Sequence, residues 1–352
     1  MQSNKVSFNK NLPGSLSCNS FILFLSFSPL KGSRIMLKRE APPIELVKQT
    51  AKDCLPVAAD RIERVLTGVS TYVYRVQSGE NISYLRLLPE QENSFGVEVY
   101  VHNLLRQKGV QVPEVIYYEH SNKSLEMSMM LLNEIPGSDI GSCTLEDVHK
   151  STLLQAGKHL AIVNQITVDG FGWIQRKDGV PGESLRAEKS SMHEYIFDHM
   201  EEDLFYSSEN VFGKPVISRI SSLLHAGAPI MARHEAHLAH GDFDDSHIFC
   251  FHGVFTGIID FGEIQGSSPL YDLGHYKLHD GQRFLGFDTL AQGYSDIRKL
   301  SCDDQLEIDL WALWIGMRRI GNVCRQKRTW NKWHDHLVRT IRMEVEILSK
   351  KL

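Results

Sequence analysis

The chain has 352 residues, of which 42% are hydrophobic and 23% charged, proportions of a globular protein rather than a disordered or fibrous one. Its length exceeds what one compact core usually organises, so two lobes are expected. The formal net charge of −5 argues against broad nucleic-acid affinity, which depends on Lys and Arg neutralising phosphates. A small molecule is the expected partner.

Residues 1–35 are rich in Ser, Asn and Phe, with one apolar patch, Phe21-Ile22-Leu23-Phe24-Leu25. The patch falls short of the ~20 apolar residues that a membrane span needs. Lys5 and Lys10 could pass for the basic start of a signal peptide, yet no small-x-small cleavage site follows. Met36 opens a segment of ordinary composition, so 1–35 is expected to be a disordered or spurious extension outside the fold. Abundant native peptides from that stretch would contradict this. Cys18, Cys54, Cys143, Cys250, Cys302 and Cys324 form no C-x-x-C pair. Reduced thiols in a cytoplasmic protein, with no disulfide framework and no membrane association, are the expectation.

From Arg61 to Ile116 the pattern is strand-rich. Val73-Tyr74-Arg75-Val76 and Ser83-Tyr84-Leu85-Arg86-Leu87-Leu88 flank Ser78-Gly79-Glu80-Asn81, which reads as a hairpin turn. Gly96 to Gln107 carries apolar residues at 97, 101, 104 and 105, a helical period, with Gly109 just past its end. Ser128 to Leu132 is another strand, closed by Pro136-Gly137. After Gly137 helices dominate: Leu153 to Ile166, then around 190–206, 215–226, 284–298, 305–323 and 331–348. One short β segment, Leu238 to Asp260, is set among them. The expected architecture is α+β, with a β-rich first lobe over 36–135 and a mostly helical second lobe over 136–352.

The chemistry concentrates in His240-Gly241-Asp242-Phe243-Asp244-Asp245-Ser246-His247, followed by Gly257-Ile258-Ile259-Asp260-Phe261-Gly262. Between them, Ile248-Phe249-Cys250 and Val254-Phe255-Thr256 flank Phe251-His252-Gly253, a second hairpin. A hairpin returns the chain on itself, which places His247 next to Asp260 with Asp242 one short loop away. Phosphoryl transfer requires Mg²⁺ held against nucleotide phosphates and a carboxylate beside the attacking hydroxyl. Asp260 suits the metal, because Mg²⁺ prefers oxygen ligands, and Asp242 suits the hydroxyl. Single Asp residues mostly cap turns; two in this phrase and order favour catalysis.

His-Gly-Asp-Phe, then Ile-Ile-Asp-Phe-Gly, then Pro269-Leu270-Tyr271-Asp272-Leu273 resembles the aminoglycoside phosphotransferase family, whose two-lobed protein-kinase-like fold is shared with macrolide and choline kinases. Protein kinases match less well, because here only a short loop separates Gly262 from Pro269. The resemblance implies a small-molecule kinase using Mg²⁺ and ATP or GTP, with an antibiotic or metabolite alcohol as acceptor and a possible role in antibiotic resistance. It assigns Asp272 to bracing the catalytic loop. Gly68, Ser70 and Thr71 stand at the phosphate-covering turn, and Arg86 at the strand position of the kinase lysine. Glu98 is its partner, and Leu132 to Gly137, including Asn133 and Ile135, forms the hinge that reads the base. The alternative for Arg86 and Glu98 is a solvated surface ion pair, which the downstream motif makes the lesser reading.

His247 replaces the metal-loop Asn of kinases. It is read as a tolerated variant contacting the metal or its water; the alternative is a nucleotide-binding pseudokinase acting as sensor or scaffold. Asn164 stands where the family often has His and is given no functional weight. His234, His237 and His240 lack zinc-helix spacing and are set aside as a metal site. Glu201, Glu202, Asp203, Asp303, Asp304, Glu307 and Asp309 are candidates for receiving a polycationic acceptor. The basic, aromatic C-terminal region (Arg318, Arg319, Arg325, Lys327, Arg328, Trp330, Lys332 and Trp333) speaks against one. Trp311 and Trp314 are expected in the core.

Overall fold

The computed structural model describes residues 38–352 apart from 57, 67–69, 144 and 178–183. The expected extension over 1–35 and Gly68 lie outside the described residues.

The first half holds helix α1 (Ile44–Cys54), strands β1 (Arg61–Val65), β2 (Tyr72–Ser78) and β3 (Asn81–Leu88), helix α2 (Gly96–Gln107), and strands β4 (Val115–Glu119) and β5 (Ser128–Asn133). β2 and β3 form the expected hairpin, with Ser78 opposite Asn81 and Gly79 at φ +58°. The strands make one antiparallel sheet in the order β1-β2-β3-β5-β4. Alternation along β3 and β5 sorts side chains between two covered faces. Leu85, Leu87, Met129 and Leu131 pack with Val47 and Ala51 of α1. Leu88, Met130 and Leu132 pack with Phe95 and Val99 at α2. Arg86, between Leu85 and Leu87, therefore emerges on the α2 side.

The second half runs through β6 (Ser138–Asp139), α3 (Glu146–Val163), β7 (Phe171–Ile174), β8 (Ala187–Lys189), α4 (Met192–Phe197), α5 (Met200–Ser207), α6 (Lys214–Met231), β9 (His237–Ala239), β10 (Ile248–Phe251), β11 (Val254–Ile258), β12 (Gln265–Ser267), α7 (Tyr271–His279), α8 (Phe287–Ile297), α9 (Cys302–Arg325) and α10 (Lys332–Leu348). This is the protein-kinase-like arrangement of a sheet-rich N-terminal region and a helical C-terminal region. Its largest core gathers α3 and α6 to α10, with Trp311 fully buried and Trp314 nearly so. Both tryptophans are core residues. Their indole N–H groups donate to Glu307 Oε1 (3.1 Å) and the Ile196 carbonyl (2.8 Å).

Several boundaries differ from expectation for identifiable reasons. α3 opens at Glu146 because its first turn carries Glu146 and Asp147, which suit a helix N-terminus but leave no apolar period to read. The expected helix over 190–206 is two helices, broken where His199 adopts φ +56°. Trp314 and Arg318 take the Ile196 and Asp198 carbonyls that would otherwise continue α4. α7 is buried almost all round, so it has no amphipathic signature. Among the described residues, no helix is long and apolar enough to cross a membrane.

Candidate active site

β9 delivers the chain to His240-Gly241-Asp242, and this loop is held from beneath. Asp272, fully buried in the first turn of α7, accepts the backbone N–H of His240 (2.8 Å) and of Gly241 (3.0 Å). Asn164, the residue given no weight above, donates its side-chain amide to Asp272 (2.8 Å) and to the Leu238 carbonyl (2.9 Å). Gly241 sits at φ +87°, and a Cβ there would run into the Glu263 carbonyl. His240 donates Nε2–H to the Ile259 carbonyl (2.9 Å), so its ring ties the loop to the end of β11.

β10 and β11 form the second expected hairpin, turning through His252 (φ +48°) and Gly253 (φ +79°). At its open end the Ile259 N–H donates to the His247 carbonyl (3.0 Å), bringing His247 and Asp260 side by side. His247 donates Nδ1–H to the Asp242 carbonyl (2.7 Å), which leaves Nε2 as its available nitrogen. Asp260 holds the left-handed conformation (φ +62°), with its side chain 51% exposed. Left-handed backbone is uncommon for Asp and marks a position fixed by its surroundings.

From the sheet, Arg86 donates Nη1–H to Glu98 Oε2 (2.9 Å) and Nη2–H to Asp260 Oδ1 (3.3 Å). Desolvation works to raise the Asp260 pKa, but Arg86 and the His247 and His240 rings outweigh it and hold the carboxyl below its usual range. Desolvation lowers the His247 pKa, but the Asp244, Asp242 and Asp260 carboxylates raise it above the ordinary imidazole value. Asp242 is held well below the carboxylate range: desolvation opposes this, and contacts with His275 and Arg319 prevail. Two ionised carboxylates and an anchored guanidinium thus meet at the mouth of one hairpin.

The sequence model of the phosphotransferase enzyme family matches residues 61–300, well over half the chain. The chain belongs to this family. Among solved structures it is similar to aminoglycoside phosphotransferase APH(4)-Ia in ternary complex with ADP and hygromycin B (TM-score 0.62, 14% identity, 86% of this chain and 98% of that one). It is also similar to the GDP and kanamycin complex of APH(2")-IIIa (TM-score 0.62, 14% identity, 88% and 99%). A third similar structure, from Thermobifida fusca, is assigned as a fructosamine-3-kinase (TM-score 0.59, 15% identity, 85% and 98%). At such identities the likeness concerns the fold. No curated protein matches the chain at a significant level.

Other features of this phosphotransferase-family chain depart from the sequence reading or were invisible to it. Glu98 is 1% exposed and carries a second cation. Arg176 donates Nη1–H to Glu98 Oε1 (2.7 Å) and Nη2–H to the Gly262 carbonyl (2.5 Å). Arg319 of α9 donates Nη2–H to Asp242 Oδ1 (2.6 Å), and His275 Nε2 lies 3.3 Å from the same oxygen. Arg176 and His275 have no motif signal. Arg319 was visible only as one charge in a basic stretch. Ser70 and Thr71 lie at the entrance to β2, exposed and half-buried. Asn133 ends β5, where its N–H donates to the Glu114 carbonyl (3.0 Å), and Ile135 follows half-buried.

Most of the acidic candidates for receiving a polycation are already paired within the fold. Glu202 accepts from Arg325 (2.6 Å), and Asp203 pairs with Arg318 (2.9 Å). Asp304 and Glu307 share Arg233 (2.6 and 2.7 Å), and Asp309 takes Lys277 and Lys351 (2.5 and 2.8 Å). His234 clusters with Asp304 and Glu307, but the Arg233 guanidinium already supplies those carboxylates with positive charge. Glu201 and Asp303 remain at the surface.

Proposed function

We propose that this chain is a small-molecule kinase that moves the γ-phosphate of ATP or GTP to an acceptor hydroxyl, with 36–135 as the nucleotide lobe and 136–352 as the helical lobe. One observation carries the reading. The β10–β11 hairpin sets His247 beside Asp260 and ties it to the Asp242 carbonyl, while Arg86, fixed by Glu98, reaches Asp260 from the sheet. Asp242 orients the hydroxyl and receives its proton as the new ester bond forms. Arg86 presents its guanidinium to the phosphates. Ser70 and Thr71, with Gly68, cover them, and the Asn133–Ile135 backbone borders the base.

The residues fit a magnesium ion. Asp260 is ionised and half open to solvent, the hard oxygen donor that Mg²⁺ prefers. His247, in its neutral form, would present Nε2 to the ion or to its water. When bound, Mg²⁺ supplies charge neutralisation for the nucleotide phosphates. Similar structures contain ADP, AMP-PNP or GDP, which supports a nucleotide donor. Their hygromycin B and kanamycin place aminoglycosides on the acceptor panel beside macrolides and metabolite alcohols.

The test is nucleotide turnover by the purified chain with Mg²⁺, ATP or GTP, and that panel. Acceptor-stimulated turnover that disappears in Asp242→Asn is the expected result; equal turnover in the variant overturns the assignment. A second reading, a nucleotide-binding sensor without turnover, is motivated by His247 at the kinase amide position. Slow phosphate release that depends on Asp242 excludes it.

A further inference from the structure

α9 sets a positive charge against Asp242, and α10 sets an aromatic ring beside that charge. Arg319 holds Oδ1, and its guanidinium lies 5.7 Å from the Trp333 ring centroid. Trp333 is fixed in turn, donating Nε1–H to His279 Nδ1 (3.3 Å). The Arg319 side chain is 30% exposed, and among the described residues its Nε and Nη1 have no hydrogen-bond partner. Nη2 is used twice, donating to Asp242 Oδ1 (2.6 Å) and to His275 Nε2 (2.5 Å), so the N–H donors left open beside Asp242 are single ones, on Nε and on Nη1. Glu263 is the other carboxylate in its field. Five acidic groups that a polycation might have used (Glu202, Asp203, Asp304, Glu307 and Asp309) are bound to internal cations.

We propose that the acceptor carries an anionic group, a carboxylate or a phosphate, next to the hydroxyl that is phosphorylated. A free N–H of Arg319, on Nε or Nη1, receives that group, Asp242 Oδ2 receives the hydroxyl, and Trp333 flanks the body of the molecule. A guanidinium N–H makes a charge-assisted hydrogen bond to either anion. An ammonium placed there is repelled by Arg319. The proposal rests on the phosphotransfer reading and names its substrate class. The acceptor oxygen bonds to the γ-phosphorus, the bond from that phosphorus to the β–γ bridging oxygen breaks, and nucleoside diphosphate leaves. The hydroxyl proton passes to Asp242.

The test uses the full chain saturated with Mg²⁺ and AMP-PNP, titrated with a set of sugars that differ in charge: glucuronate, glucose 6-phosphate, glucose and glucosamine, with kanamycin as polycation. Glucuronate or glucose 6-phosphate is expected to bind at least about tenfold more tightly than glucose, with glucosamine and kanamycin weakest. The difference between the two anions distinguishes carboxylate from phosphate. Arg319→Gln should erase the preference, and Arg319→Lys should keep part of it; unchanged AMP-PNP affinity in both shows that the fold is intact. Tighter binding of glucosamine or kanamycin, through Glu263, overturns the proposal. So does equal binding, or no binding, across the set. If AMP-PNP itself does not bind the parent chain, the phosphotransfer reading fails; if it binds and no anion preference appears, only the acceptor class fails.

Discussion

Asp242 and Asp260 differ in what surrounds them, and that difference separates their expected failures. Asp242 is gripped by Arg319 and approached by His275, while Asp260 faces Arg86 and open solvent. Asp242→Asn is expected to lower turnover by roughly 10²- to 10⁴-fold while leaving nucleotide affinity almost intact. Asp260→Asn should instead lose the Mg²⁺-dependent part of that affinity. Nucleotide titration with and without Mg²⁺, beside steady-state rates, separates the two; identical behaviour of both variants would sink the division of roles. Arg176 offers a further residue-scale test. Its guanidinium shares the buried Glu98 with Arg86 and pins the Gly262 carbonyl. Removing one partner of a buried pair leaves charge uncompensated, so Arg176→Met should cost about 3 kcal/mol in denaturant unfolding and raise the nucleotide KM. Arg176→Lys should recover part of both. A Met variant as stable as the parent would show that Arg86 alone satisfies Glu98.

At the scale of elements, the β10–β11 hairpin and the loop before it act as one unit. The hairpin was legible because its information is local: alternating apolar residues, a His252-Gly253 turn and the Asp-Phe-Gly phrase all lie within a few residues of one another. Helix α2 was legible end to end for the same reason, an apolar period closed by Gly109. α7 was not, since a helix buried on nearly every side shows no period. Yet α7 supplies both Asp272, which holds the 240–242 loop, and His275, which touches Asp242. The contact between this loop and the 260–263 segment yields a prediction. Gly241 takes φ +87° with the Glu263 carbonyl where a Cβ would lie. Gly241→Ala should therefore force the two segments apart, costing on the order of 2 kcal/mol or more and most of the turnover. Differential scanning calorimetry and kinetics on one preparation would check this. An active, equally stable Ala variant would mean the loop relaxes freely.

For the whole molecule, His102 links acid stability to the contact between α2 and the Phe261 segment. It lies fully buried on α2, donating Nδ1–H to the Pro113 carbonyl (2.9 Å), with its ring edge-on to Phe261 at 5.4 Å. Burial lowers its pKa from 6.5 to about 4. A depressed folded value favours the neutral ring, so its stabilising effect is full above pH 6.5 and is lost as the pH falls toward 4. The loss is on the order of 3 kcal/mol. Unfolding free energies of the parent at pH 7.5 and 5 should diverge, and His102→Phe should flatten the difference. A variant with the parent's pH slope would assign the acid sensitivity to other groups.

The sequence by itself determined the lobed class, both hairpins, most helices and the placing of His247 beside Asp260. Strand alternation, helical period and glycine turns are short-range signals tied to backbone geometry and burial. Tertiary structure alone decided which charges face one another. Arg176 meets Glu98 across 78 positions of chain, and Arg319 meets Asp242 across 77. It also decided that most of the acidic residues near α5 and α9 answer internal cations. An ion pair leaves no periodic trace, because its partner is chosen by packing between distant segments and by the cost of burying a charge alone.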